Sequence, residues 1–261
     1  MDVGTRADGG APREGCEDGC DAAPMIRPGM SQFHALRAHS RAHAACTVCA
    51  DAGWIEEARP VFSGRPGQRI LLVGQAPGPI EPQLGRPFAG RAGRELMRWL
   101  TRAGFADEEE VRRRVWMTSV TTCFPGRRPD GSGDRRPSPA EVRACAPWLE
   151  GVLGLLRPRL VLVVGTLALG RLLPGSGTLD RAVGSVVPLP REAPPLDALA
   201  VPLPHPSGQS RWLNDPVRRA RLEEALALLP DLVVAAYSDR PWPPVHADPA
   251  VTGSDRPGPP G

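Results

Sequence analysis

Three groups of residues in this 261-residue chain could do chemistry, and the first is a set of thiols. Of six cysteines, Cys16 and Cys20 lie near the N-terminus, while Cys46, Cys49, Cys123 and Cys145 lie further along. Disulfides are disfavoured in a reducing compartment, so a Cys-x-x-Cys pair with two distant cysteines suggests a metal or cluster site. Four thiolates are what an iron–sulfur cube requires. Zinc accepts four as well, but structural zinc sites usually pair two short knuckles, and here 21 residues separate Cys123 from Cys145. Four unrelated buried cysteines are the third reading, since spacing alone does not bring distant residues together. Cys16 and Cys20 are expected to bind nothing.

The second group is the loop Gly74-Gln75-Ala76-Pro77-Gly78 with Glu81 and Phe88 beyond it. Glycines around a proline make a rigid turn whose backbone amides can approach a ligand closely. The glycine spacing fits neither a dinucleotide fingerprint nor a P-loop, and the chain contains no lysine, so a phosphate site is excluded. Read from these residues alone, the segment is a βα turn with a solvated Glu81 and a core Phe88. The third group is His205-Pro206-Ser207-Gly208-Gln209-Ser210-Arg211-Trp212, a polar loop opening on a histidine. That histidine reads either as a capped loop residue or as a donor. Arg211 and Trp212 could contact phosphate or wedge into a base stack, and Trp212 could equally be packing.

The elements that must position these groups are four short apolar runs: RILLVG at 69–74, VWMTSV at 115–120, RLVLVVG at 159–165 and ALAVPLP at 198–204. Each ends at a polar or glycine-containing loop and reads as a parallel strand buried on both faces. Helical patterns alternate with them. Ser31 caps a helix through about Ala45, and Gly90 to Ala103 places Leu96, Trp99 and Leu100 at helical spacing. Ser138-Pro139-Ala140-Glu141 is a capping box with proline at the first helical position, and the helix runs to Leu156. Asp215-Pro216 opens another, reaching Leu229. The pattern predicts an α/β fold, a three-layer α/β/α sandwich on a central four-stranded, mostly parallel sheet. Ligands of such sheets bind beyond the carboxyl ends of the strands.

Composition bounds the rest. A chain with 32 prolines and 29 glycines must hold long loops and tails. Residues 1–30 and 239–261 lack any sustained period and are expected to be disordered tails around one domain at 31–238. The tails carry −3 and −1, leaving +7 on the domain, with every basic residue an arginine. That balance is compatible with a nucleic-acid partner and with many ordinary enzymes. No apolar run approaches the ~18 residues a bilayer span needs, and the acidic N-terminus does not read as a secretory signal. A cytoplasmic protein without membrane contact is expected.

Taken in order, VGQAPGPIE, GRPFAGRAG, the strand leading to Cys123, LVLVVG and His205-Pro206-Ser207-Gly208 closely resemble the uracil-DNA glycosylase superfamily. The four-cysteine layout resembles its iron–sulfur-containing family 4 branch, and the resemblance covers about Cys46 to Leu229. It implies an α/β/α enzyme that flips a deaminated base out of DNA and hydrolyses its N-glycosidic bond, because the bond is out of reach inside the stack. It implies a [4Fe–4S] cluster on Cys46, Cys49, Cys123 and Cys145. It further implies backbone amides of Gly74, Gln75, Ala76, Pro77 and Gly78 around the base, with Phe88 stacking on it and Ser119 at the base-reading position. Glu81 and His205 would be catalytic, and Ser207, Gln209 and Arg211 would contact DNA.

Three departures stand out. The family 4 pattern has glutamate where this chain has Gln75, asparagine where it has Ser119, and lysine where it has Thr122. The insertion GRRPDGSGDRR also widens the gap between Cys123 and Cys145. A monomeric glycosylase acting on uracil in DNA is expected, alongside two alternatives. One is a glycosylase for hypoxanthine or xanthine; the other is a DNA-binding superfamily member without hydrolysis, which Gln75 favours.

Overall fold

The computed structural model describes residues 31–190, 196–207, 211–238 and 242. Cys16, Cys20, Gln209 and both expected tails, apart from Trp242, lie outside the described residues. The four apolar runs are strands: β1 Ile70–Gly74, β2 Val115–Ser119, β3 Leu160–Val164 and, after a short extra strand β4 (Val187–Pro188), β5 Leu199–Leu203. Every residue of β1, β2, β3 and β5 is buried. Continuous runs of Leu, Ile and Val, without polar alternation, suit strands covered on both faces.

The sheet has five strands rather than the expected four, in the order β2-β1-β3-β5-β4. The first four are parallel, and β4 pairs antiparallel with β5 through Val187 with Ala200 and Pro188 with Leu199. Two residues ending in a proline carry no period to read, and a proline strand belongs at a sheet edge, where β4 lies.

The helices are α1 Gln32–Ala44, α2 Val48–Asp51, α3 Glu81–Leu84, α4 Arg91–Arg102, α5 Glu108–Arg114, α6 Pro139–Leu156, α7 Thr166–Leu172, α8 Leu179–Ala182 and α9 Pro216–Ala236. Ser31 caps α1 through His34 N–H, and Ser138 with Glu141 completes the capping box of α6. The chain steps from β1 to β2 on one side and then back across to β3 on the other. Right-handed crossovers therefore place α4 and α6 on opposite faces. Helix α9 packs with α4, and α1 packs with α6, which gives the three layers.

Helix α9 passes its expected end at Leu229 and continues through Pro230 to Ala236. Proline forfeits one backbone hydrogen bond but keeps a helical φ. Burial of Leu232, Val233, Ala235 and Ala236 holds the last two turns in place. Helix α5 was not legible as apolar period because only Val111 is buried. Its signals are at its ends instead: an Asp107 cap accepting from Glu110 N–H, three glutamates in the first turn and three arginines in the last, all matching the helix dipole. Among the described residues, no helix is long and apolar enough to cross a membrane.

Candidate active site

The chain leaves β1 and β3 toward opposite sides, and between two such strands a crevice opens at their carboxyl ends. A cleft of about 640 Å³ lies there. Gln75, Ala76, Pro77, Gly78, Glu81, Phe88, Ser119, His205 and Ser207 all line it, although they come from the ends of β1, β2 and β5 and from the segment before α4. Gly74 closes β1 beneath the cleft. A methyl group added to it would stand 2.8 Å from the Phe88 ring and 3.3 Å from Ser119 Oγ, so the ring and the hydroxyl flank one narrow slot.

Phe88 holds an unusual backbone, with φ of +54°. Such a conformation in a bulky residue persists only where its surroundings enforce it. Two neighbours do so. Arg112 of α5 donates to the carbonyls of Pro87 at 3.1 Å and Phe88 at 3.4 Å, and is itself held by Glu108 at 2.8 Å. From the other side, Gly93 of α4 lies against the Phe88 carbonyl so closely that an added Cβ would come within 1.9 Å of its oxygen. The charged helix α5, which has little to bury, thus fixes an aromatic wall of the cleft.

His205 follows β5, and its Nδ1 accepts the Ser207 N–H at 3.2 Å. Its proton in the neutral ring therefore sits on Nε2. Burial holds its pKa below the usual histidine value, so the ring is neutral at pH 7. The result is a fixed neutral N–H donor at the cleft. Glu81 is buried at the start of α3, and its Oε1 accepts the Gly90 N–H at 3.0 Å. Ser119 is buried, and its hydroxyl has no hydrogen-bond partner among the described residues. Arg211 opens a 3₁₀ turn to Asn214, and its side chain lies outside the described residues. Trp212 is packing rather than a wedge, buried with its indole N–H donating to Asp180 at 2.5 Å.

Asp134 and Arg135 also line the cleft and were missed in the sequence, where they read as part of a polar surface insertion. No local period marks them. Their place depends on the insertion folding back, with Arg127 and Asp134 forming an isolated antiparallel bridge. Arg135 then reaches past the cleft to grip both oxygens of Glu141 at 2.7 Å and the carbonyl of Trp54 at 3.0 Å.

Glu141 lines a second, smaller cavity together with Cys46, Cys49, Cys123 and Cys145. The structure therefore brings all four together, from the α1–α2 connection, α2, the loop after β2 and α6. All four are free thiols. Burial, and then the neighbouring Cys145, pushes Cys49 up to about 11 and Cys123 up to about 12, and burial raises Cys145 as well. Four thiolates crowded together need positive charge among them, which a bound metal centre supplies. Among the described residues no three Cys, His, Asp or Glu side chains are arranged to hold a single metal ion. Behind Cys145 stands a polar chain: His43 Nε2 bonds Thr122 Oγ1 at 2.8 Å, and that hydroxyl lies 3.6 Å from Cys145 Sγ. His43 is stacked between Phe62 and Trp148, and burial, then nearby His39, pushes its pKa down to about 3.

The chain is similar to known proteins. Residues 62–230 match the model of the uracil DNA glycosylase superfamily. A type-4 uracil-DNA glycosylase of Pyrobaculum aerophilum is 36% identical over 118 residues, 45% of this chain and 54% of that protein. One from Thermotoga maritima is 30% identical over 169 residues, 63% of this chain and 78% of the relative. A type-5 uracil-DNA glycosylase of Thermus thermophilus is 37% identical over 148 residues, 51% of this chain and 64% of its own length. The chain thus spans about half of the first relative and more of the other two. With more than half of its length matched by the family model, and with the fold those strands build, the chain belongs to the uracil DNA glycosylase superfamily.

Proposed function

We propose that this protein removes uracil from DNA by hydrolysing the N-glycosidic bond, leaving an abasic site. The observation that carries the reading is the convergence of Phe88, Ser119, Glu81 and the Nε2–H donor of His205 on one cleft beyond the strand ends. A base must leave the stack to reach such a cleft. Phe88 offers a face to stack on, and the loop Gly74 to Gly78 brings backbone amides close. Uracil departs with the bonding electron pair, and negative charge gathers on its O2. The neutral His205 donor, set in place before the reaction, stabilises that charge more than it stabilises the intact nucleoside. Glu81, held by Gly90, faces the positive charge that develops on the sugar.

The [4Fe–4S] assignment rests on the four thiols around one cavity. A cube gives each thiolate a different iron, so its ligands need not converge on one point as those of zinc must. When bound, the cluster would supply positive charge for the thiols and tie α1, α2 and α6 to the end of β2. Cys46, Cys49, Cys123 and Cys145 would hold it, with Thr122 and His43 behind Cys145. We further propose a monomer acting in the cytoplasm, where reducing conditions keep such thiols free.

A broader base range, including hypoxanthine or xanthine, is the second reading, favoured by Ser119: a rotating hydroxyl specifies less than an amide. The deciding experiment incubates the protein with oligonucleotides carrying uracil, hypoxanthine or xanthine and cleaves the products with alkali. Strand scission at uracil is expected. Binding without scission at any of the three would leave only a DNA-binding role.

A further inference from the structure

The inserted segment between Cys123 and Cys145 places a second carboxylate at the cleft, and its surroundings differ from those of the first. An added Cβ on Gly78 would stand 3.0 Å from Glu81 Oε2 and 3.6 Å from Asp134 Oδ2, so both carboxylates lie within 4 Å of one point on the base-side loop. Glu81 is buried and has one oxygen committed to the Gly90 N–H. Asp134 remains exposed at the rim, and its carboxylate accepts no hydrogen bond among the described residues. Its backbone is nevertheless anchored by the bridge to Arg127 and by the adjacent Arg135, clamped on Glu141. The position is thus fixed while, among the described residues, the oxygens stay free.

Hydrolysis needs a proton acceptor for the attacking water. Gln75 is an amide and cannot take a proton. His205 offers an N–H from Nε2, and its Nδ1 lone pair is occupied by Ser207. Among the groups that flank the cleft, the carboxylates are left, and the committed one suits standing charge better than proton transfer. We propose that Asp134 is the catalytic base of the reaction proposed above, with Glu81 as the fixed anion that stabilises the sugar cation. As the water oxygen bonds to the sugar C1′, the C1′–N1 bond breaks and its electron pair leaves with uracil. The water's proton passes to Asp134, and uracil is later protonated from solvent. Partial desolvation and the charge of Glu81 raise the Asp134 pKa, against the lowering influence of Arg127, which favours proton acceptance. A flipped nucleoside would cover the rim and remove further water from this pair.

The inference rests on the proposed glycosylase reading, and the two can fail separately. Asp134→Asn and Asp134→Ala are compared with wild type by single-turnover release of base from uracil-containing DNA, with binding to abasic-site DNA measured in parallel. Loss of a general base is expected to slow release by about 10²-fold or more while binding stays within a few-fold. Added formate should restore part of the rate of Asp134→Ala, whose shortened side chain leaves room for a small carboxylate. Both variants should melt with the wild type, because the bridge to Arg127 uses backbone atoms. An active wild type with equally fast variants would overturn the role of Asp134 alone, as would parallel loss of rate and binding. A wild type that releases no base would overturn the parent reading, and this one with it.

Discussion

The cleft and the cysteine cavity are joined by five residues of chain, Ser119 to Cys123, yet they are built on opposite principles. Around the cleft, polar groups are fixed but, among the described residues, unspent: His205 holds Nδ1 against Ser207 and leaves Nε2–H as a donor, and Ser119 and Asp134 line the same cleft with no hydrogen-bond partner for the hydroxyl or the carboxylate. Around the cysteines, the polar groups are enclosed. His43 is sandwiched between two aromatic rings, and Thr122 bridges it to Cys145. A site that must stabilise charge appearing during a reaction needs donors already aimed and still available. A site that holds a permanent centre needs its surroundings enclosed and water kept out, and here even the unpartnered His43 Nδ1 and Thr121 Oγ1 are buried. Arg135 connects the two, lining the cleft while its guanidinium grips Glu141 at the edge of the cysteine cavity. One side of the molecule thus braces the other.

The contrast predicts different failures. The largest effect is expected at the enclosed site. Cys145→Ser should remove most of the iron from a protein that, purified anaerobically, carries about four irons per chain, and should lower its melting temperature. Iron analysis and a thermal melt test this, and a variant with full iron and wild-type stability would place the metal elsewhere. Next in size is His205→Ala, which should slow base release by about 10²-fold or more with little change in melting temperature or DNA binding. Equal rates for variant and wild type would remove His205 from the chemistry.

A smaller effect separates the sites by pH. The unfolded chain takes up a proton on His43 near 6.5, whereas the folded chain takes it up only near 3. The unfolded state therefore binds more protons in that window, and stability is full above it and falls as pH falls through it. The contribution of His43 amounts to about 2 kcal/mol between pH 7.5 and pH 5. Urea unfolding of His43→Gln should show a shallower acid loss than wild type, whatever its stability at pH 7.5. The smallest effect belongs to Ser119→Asn, which should favour uracil over hypoxanthine by roughly tenfold, the worth of about one hydrogen bond. Competition between the two substrates measures it, and an inactive variant of a wild type already selective for uracil would mean a pocket read in another way.

Local patterns were legible wherever the physics is local. The runs at 69–74, 115–120, 159–165 and 198–204 needed only their apolar continuity, and Ser138 with Glu141 declared the start of α6 through hydrogen bonds spanning three residues. The ordered motifs around Gly74, Phe88 and His205 carried the family, and the four cysteines carried the suspicion of a metal. What the chain could not state in one dimension is which strand ends meet. The order β2-β1-β3-β5-β4 follows from packing both faces of the sheet at once, and it alone sets Ser119 beside Phe88 and His205 across the same cleft. The edge strand β4 and the clamp of α5 on Phe88 depend on partners distant in sequence, so no window of neighbouring residues contains them. The role of Trp212 was open for the same reason, since Asp180 accepts its indole N–H and the core buries its ring. Asp134 is the extreme case: a charged residue in a glycine-rich insertion has every local mark of solvent-facing loop. Only the fold-back that bridges it to Arg127 carries its carboxylate to Glu81, because side-chain chemistry is written in sequence, whereas proximity is decided by burial of the whole sheet.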